Sequence, residues 1–169
     1  ERSRGLGDVY KRQLLNAAGN IGDMIPMLDA VDSLLSSAKE SIYLATPFID
    51  ASLTAVLARH YSTLSRLSFV RVMVDVGTRN IPVLERLKAL IKNLEYKVLG
   101  KYKAVQGGMV KISGLHLKAL AVDEKLALIG TFNFKETHIV ADYDLGLLFR
   151  GKTAQKIWKV LDIIWNAQL

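Results

Sequence analysis

Two hydrophobic periods alternate along residues 24–99, and this alternation constrains the fold more than any other feature of the chain. In residues 24–40 the apolar positions Ile25, Leu28, Val31, Leu34, Leu35 and Ala38 recur at intervals of three and four, which lines them along one face of a helix. Asp23 is the expected N-cap of that helix. Residues 41–45 (SIYLA) are short and apolar and run into Pro47 and Asp50, the pattern of a buried strand ending in a loop. Helical spacing returns over residues 51–64. Residues 70–74 (VRVMV) read as a second strand, and residues 81–94 as a helix with Pro82 in its first turn, where a missing N–H is tolerated. Residues 96–99 read as a third strand. Strands that alternate with helices are joined by crossovers, which favour a largely parallel sheet covered by helices.

Beyond Gly100 the pattern changes. Lys101, Lys103, Gly107 and Gly108 mark a basic loop, and strand candidates follow at about residues 115–122, 126–129 and 143–149. Asp123, Glu124 and Lys125 make a short polar turn between the first two, so these form an antiparallel hairpin and the sheet is mixed. In residues 153–165, Ala154, Ile157, Trp158, Leu161, Ile164 and Trp165 keep helical spacing and close the domain.

A chain of 169 residues that is 50% hydrophobic and 23% charged builds one packed core and is far from the composition of disordered chains. Residues 1–13 (ERSRGLGDVYKRQ) have no sustained period and are expected to be a non-native or disordered lead-in, leaving 14–169 as a single domain. The net charge is +7, and because the lead-in carries four basic and two acidic residues, the remainder is still +5. A surplus of that size attracts polyanions. No apolar stretch approaches the roughly 18 residues of a membrane span, and no signal peptide is visible, so a cytoplasmic location is favoured. The chain has no cysteine, which excludes disulfides and thiolate catalysis.

The chemistry is concentrated in residues 115–134, LHLKALAVDEKLALIGTFNF. Residues two apart on a strand share a face, so His116 and Lys118 are presented together while Asp123 points to the other side. Gly130, Thr131 and Asn133 follow the return strand, and Asp142 and Asp144 share a face of the next one. This set suits a phosphodiester. An imidazole attacks phosphorus, a lysine and an asparagine amide stabilise the nonbridging oxygens, and a carboxylate holds the imidazole tautomer. The scheme requires no metal or cofactor.

The spacing H-x-K, four residues, Asp, six residues, Gly-Thr-x-Asn resembles the HKD signature of the phospholipase D superfamily, with His116, Lys118, Asp123, Gly130, Thr131 and Asn133 in register. The resemblance extends over most of residues 24–169, and GTFNF is most similar to the single-motif bacterial nucleases of that superfamily. It implies an α/β/α sandwich with a mixed, largely parallel sheet flanked by helices. It further implies that His116 is a nucleophile forming a covalent phosphohistidine and that Lys118 and Asn133 hold the phosphate oxygens. Thr131 stands where serine is more usual and keeps the hydroxyl. Asp144 stands where a glutamate usually hydrogen-bonds the histidine, and Asp123 matches a mainly structural aspartate. A second histidine protonates the leaving group in this superfamily, yet this chain has one motif. Either two copies share a site at a twofold axis, or the chain is half of a longer protein. The homodimer is favoured because the opening helix resembles a domain start.

The other candidates are weaker. His60 reads as a surface histidine, and three widely separated histidines make no zinc pattern. His138 follows the motif closely enough to touch a leaving group. Lys101 and Lys103 are placed to line a groove for a phosphate backbone. Trp158 and Trp165, seven apart, read as core. The expected function is a metal-independent phosphodiesterase, a nuclease acting on DNA or RNA. The rivals are a phospholipid hydrolase or phosphatidyltransferase, against which the single motif and the lack of a visible apolar membrane-contacting loop argue, and a ligand- or DNA-binding module with a relic site, against which the intact His, Lys and Asn argue.

Overall fold

The computed structural model describes residues 25–77, 81–134 and 144–167. Helix α1 (Met27–Ser37) leads into strand β1 (Ser41–Thr46), helices α2 (Ala51–Arg59) and α3 (Tyr61–Leu64), strand β2 (Phe69–Asp75) and helix α4 (Ile81–Leu90). Strands β3 (Leu94–Val105), β4 (Gly108–Gly114), β5 (Ala119–Val122), β6 (Leu126–Gly130) and β7 (Gly146–Arg150) follow, and helix α5 (Lys152–Asn166) ends the described chain. The strands form one sheet in the order β4-β3-β2-β1-β5-β6-β7. The sheet is mixed, as the sequence implies. Its parallel part is narrower than expected, since only β1–β2 and β2–β3 pair in parallel, and the other four pairings are antiparallel. Among the described residues, β3 and β4 are joined by one hairpin and β5 and β6 by another.

Strand alternation divides the core in two. Ile42, Leu44, Val70, Val72, Val74, Leu120 and Val122 pack under α1, α2 and α4. Tyr43, Ala45, Met73, Ala119, Ala121 and Ala127 face α5 instead. The alanines on that second face leave room for Trp158, whose ring meets Tyr43 edge-on at 4.8 Å. Trp158 is therefore core, as read, and Trp165 is partly buried beside it. β1, covered on both faces, is buried throughout. Across the second core the Tyr43 hydroxyl donates to Asp162 (2.6 Å) and receives Arg71 (2.7 Å). Burial and the hydrogen bond to Asp162 push the phenol up to about 12.

Several sequence expectations need correction. α1 starts at Met27 with Pro26 as N-cap and no side-chain cap, and Asp23 lies outside the described residues. The helix expected over residues 51–64 breaks at His60 into α2 and α3. His60 is largely covered and joins α2 to α1 through Asp32 (2.8 Å). The helix expected to reach residue 94 ends at Leu90, because β3 starts at Leu94. The expected basic loop is a β3–β4 hairpin, turned at Gly107 and Gly108, both at positive φ. Residues 115–118 lie outside any ladder, with β5 confined to four residues. The last strand begins at Gly146, and Asp142 lies outside the described residues.

Candidate active site

The parallel strands β1, β2 and β3 end on the same side of the sheet, where ligands of α/β folds commonly bind. The hairpin doubles back over this end. Gly114, paired with Gly100, packs so closely on Asp75 at the end of β2 that a Cβ there would run into the Asp75 carboxylate and the Lys111 side chain. From Gly114 the chain crosses the strand ends and enters β5, which pairs with β1. Leu115 is buried in the α5-side core and Leu117 packs against it. Alternation therefore turns His116 and Lys118 the other way together. His116 and Lys118 sit in an extended crossover and not in the strand from which a shared face was expected. His116 is exposed, while Lys118 is only 9% exposed and its Nζ donates to the His116 carbonyl (3.1 Å).

The second segment follows β6. Gly130 N donates to Lys118 O (3.2 Å), bringing residues 130–134 beside the crossover. A side chain at Gly130 would collide with the Leu145 carbonyl and the Phe132 ring, so this closeness depends on glycine. Phe132 and Phe134 are buried and meet edge-on at 5.3 Å. They anchor the GTFNF segment from below and leave Thr131 exposed. Asn133 is 9% exposed, and its Oδ1 is buried without a hydrogen-bond partner. Phe134 bridges Ile49 and donates its N–H to Thr46 Oγ1 (3.4 Å), fixing this segment against the end of β1.

The third segment enters β7. Thr131 N donates to Leu145 O (3.0 Å), Leu145 N to Thr131 Oγ1 (3.1 Å), and Thr131 Oγ1 to Asp144 Oδ1 (2.7 Å). The hydroxyl kept by threonine thus orients the Asp144 carboxylate. His116, Lys118, Gly130, Thr131, Asn133 and Asp144 therefore meet at one end of the sheet, on three neighbouring segments.

The remaining described candidates are not members of this cluster. Asp123 sits at the opposite end of β5 and accepts the backbone N–H groups of Lys39, Glu40 and Ser41 at 2.8, 2.8 and 2.9 Å. It ties the β5–β6 turn to the start of β1. Lys101 and Lys103 are exposed on the hairpin, and His138 lies outside the described residues. One pair escaped the sequence reading. The Asp75 side chain is 1% exposed and pairs with Lys111 Nζ (2.7 Å), and it also accepts Gly77 N (2.7 Å). A carboxylate closing an apolar strand at the ligand-binding end of the sheet was the available signal.

Known proteins share this fold. The solved structure of NucT from Helicobacter pylori superposes with a TM-score of 0.66 at 20% identity, over 82% of this chain and 87% of that one. Nuc from Salmonella typhimurium, a phospholipase D family member, gives 0.58 at 16% identity over 82% and 86%. TrmBL2, an archaeal chromatin protein with a novel mode of DNA binding, gives 0.52 at 14% identity over 97% of this chain and 62% of its own. No curated protein matches. Residues 31–165 match the family described as cardiolipin synthase, PLD-like domain, and with the α/β fold already established this makes the chain a member of the phospholipase D superfamily.

Proposed function

We propose that the chain is a metal-independent phosphodiesterase, a nuclease that works through a phosphohistidine. The observation that carries this reading is the convergence of exposed His116 with buried Lys118 and Asn133 at one end of the sheet. A ring nitrogen of His116 attacks phosphorus, and the bond from phosphorus to the leaving oxygen breaks. Lys118 and Asn133 stabilise the charge on the nonbridging oxygens, from a setting in which a buried cation acts more strongly than in water. The leaving oxygen takes a proton from a second histidine, supplied by a second copy of the chain. Water then attacks the phosphohistidine, releasing the phosphate product and regenerating His116. Asp144, held by Thr131, lies beside this cluster to orient the imidazole. The basic surplus and the fold likeness to NucT and Nuc support nucleic acid as the substrate.

Phosphatidyl transfer is the second reading, favoured by the family's description as cardiolipin synthase. The same intermediate then passes to an alcohol instead of water. Cleavage of fluorescent single- and double-stranded DNA in EDTA, with a phospholipid substrate in parallel, separates the two. His116→Ala is expected to drop cleavage to background with the fold unchanged. Activity that persists in this variant, or a strict magnesium requirement, overturns the mechanism.

A further inference from the structure

Between Glu95 and Asp123 the chain contains no acidic residue and five lysines, Lys97, Lys101, Lys103, Lys111 and Lys118. This basic run spans the β3–β4 hairpin and leads directly into His116. The cross-strand pairs divide the hairpin into two faces. Tyr102 lies opposite Lys111, and Ala104 opposite Met109. The root of this face is held to the sheet by the Lys111–Asp75 ion pair. The other face carries Lys103 opposite Val110, Val105 opposite Gly108, and Lys101 below them. Every residue from 101 to 114 is exposed, with Met109 at 63%, Val110 at 50% and Val105 at 45%. The hairpin is thus a ribbon with a lysine-bearing stem and an apolar tip, rising from the end of the sheet that holds the candidate active site.

We propose that this hairpin is a nucleic-acid-gripping arm, in which Lys101 and Lys103 bind backbone phosphates beside the site and the Val105, Met109 and Val110 tip seats in the groove of a duplex. A two-stranded ribbon fits a DNA groove, and apolar side chains flanked by basic ones are the wedges that proteins press between base steps. Lys101 and Lys103 stand about 7 Å apart along one edge, on the scale of successive phosphates. An apolar tip with a basic stem also suits an anionic membrane surface. The absence of any acidic residue from the run that joins stem to site favours a polyanion tracking from one to the other. The inference rests on the nuclease reading.

The test measures binding, so turnover is not needed. Full-length chain carrying His116→Ala, alone and combined with Lys101→Ala/Lys103→Ala or Met109→Ser/Val110→Ser, is titrated with fluorescent duplex DNA, with single-stranded DNA, and with vesicles of phosphatidylglycerol and phosphatidylcholine. Thermal melting runs in parallel as a check on folding. The lysine pair is expected to lower duplex affinity about tenfold or more and to reduce the slope of log K against log salt by about 2. The tip pair is expected to weaken duplex binding more than single-strand binding. Unchanged duplex affinity in well-folded variants overturns the arm, as does a tip pair that abolishes vesicle binding and leaves the duplex untouched. Duplex binding by an arm-intact chain that hydrolyses no phosphodiester keeps the arm and overturns the nuclease reading instead.

Discussion

At the scale of single residues, Asp123 joins the β5–β6 turn to the start of β1 through one side chain. Its carboxylate takes three consecutive backbone N–H groups, two partly buried and one buried. Its φ of 53° lies in the left-handed region that aspartate tolerates better than most residues. Asp123→Ala leaves those donors unsatisfied and is expected to destabilise the chain by about 2–4 kcal/mol in chemical denaturation. Asp123→Asn is expected to keep part of that loss, because an amide oxygen still accepts hydrogen bonds. His116, Lys118, Gly130, Thr131 and Asn133 were legible as a group because they lie within one short run of fixed spacing, whereas Asp144 lies beyond it. Asp75 and Lys111 were not, because they are 36 positions apart and an ion pair across a fold leaves no period in the chain.

At the scale of elements, legibility follows burial. β1 and β2 were read within a residue or two because both faces of their pleat are covered. The β3–β4 hairpin was read as a loop because both its faces meet solvent, so no apolar alternation is imposed on it. Residues 115–118 look like strand because leucines alternate with His116 and Lys118, yet they cross over strand ends and form no ladder among the described residues. The helical spacing of residues 24–40 and 51–64 was legible, but not the polar tie between the two helices. In that tie, Asp32 receives Arg59 and His60. Partial burial works against the Asp32 charge, but the hydrogen bonds from His60 and Arg59 and their positive charge outweigh it and hold the carboxyl below its usual value. A carboxyl lowered in the folded state contributes stability that is present above its ordinary pKa and lost as pH falls through the folded value. Denaturation midpoints of the unmodified chain and Asp32→Asn are therefore expected to differ at neutral pH and to converge in acid below the usual aspartate range.

At the scale of the whole molecule, the proposed mechanism asks for a second histidine, and the described sheet has an edge where a second copy can dock. Among the described residues β7 is the last strand on its side of the sheet, and Leu147 and Leu148 on it and Leu145 just before it are exposed, next to Thr131 and Asp144. Val160 and Ile163 of α5 are exposed as well. Unpaired edges bearing large apolar side chains invite a partner. Light scattering is expected to find a dimer, and Leu147→Glu is expected to yield a folded monomer that has lost cleavage. A monomer with full cleavage would remove the shared proton donor from the mechanism. The other edge of the sheet has a different consequence. Because Gly100 and Gly114 face each other, residues 101–113 are a detour that returns to its starting point. The detour can be shortened, extended or exchanged while the path that delivers His116 to β5 keeps its length. Under the proposed function, such a layout makes target choice a replaceable part and leaves bond breaking to the chassis that carries it.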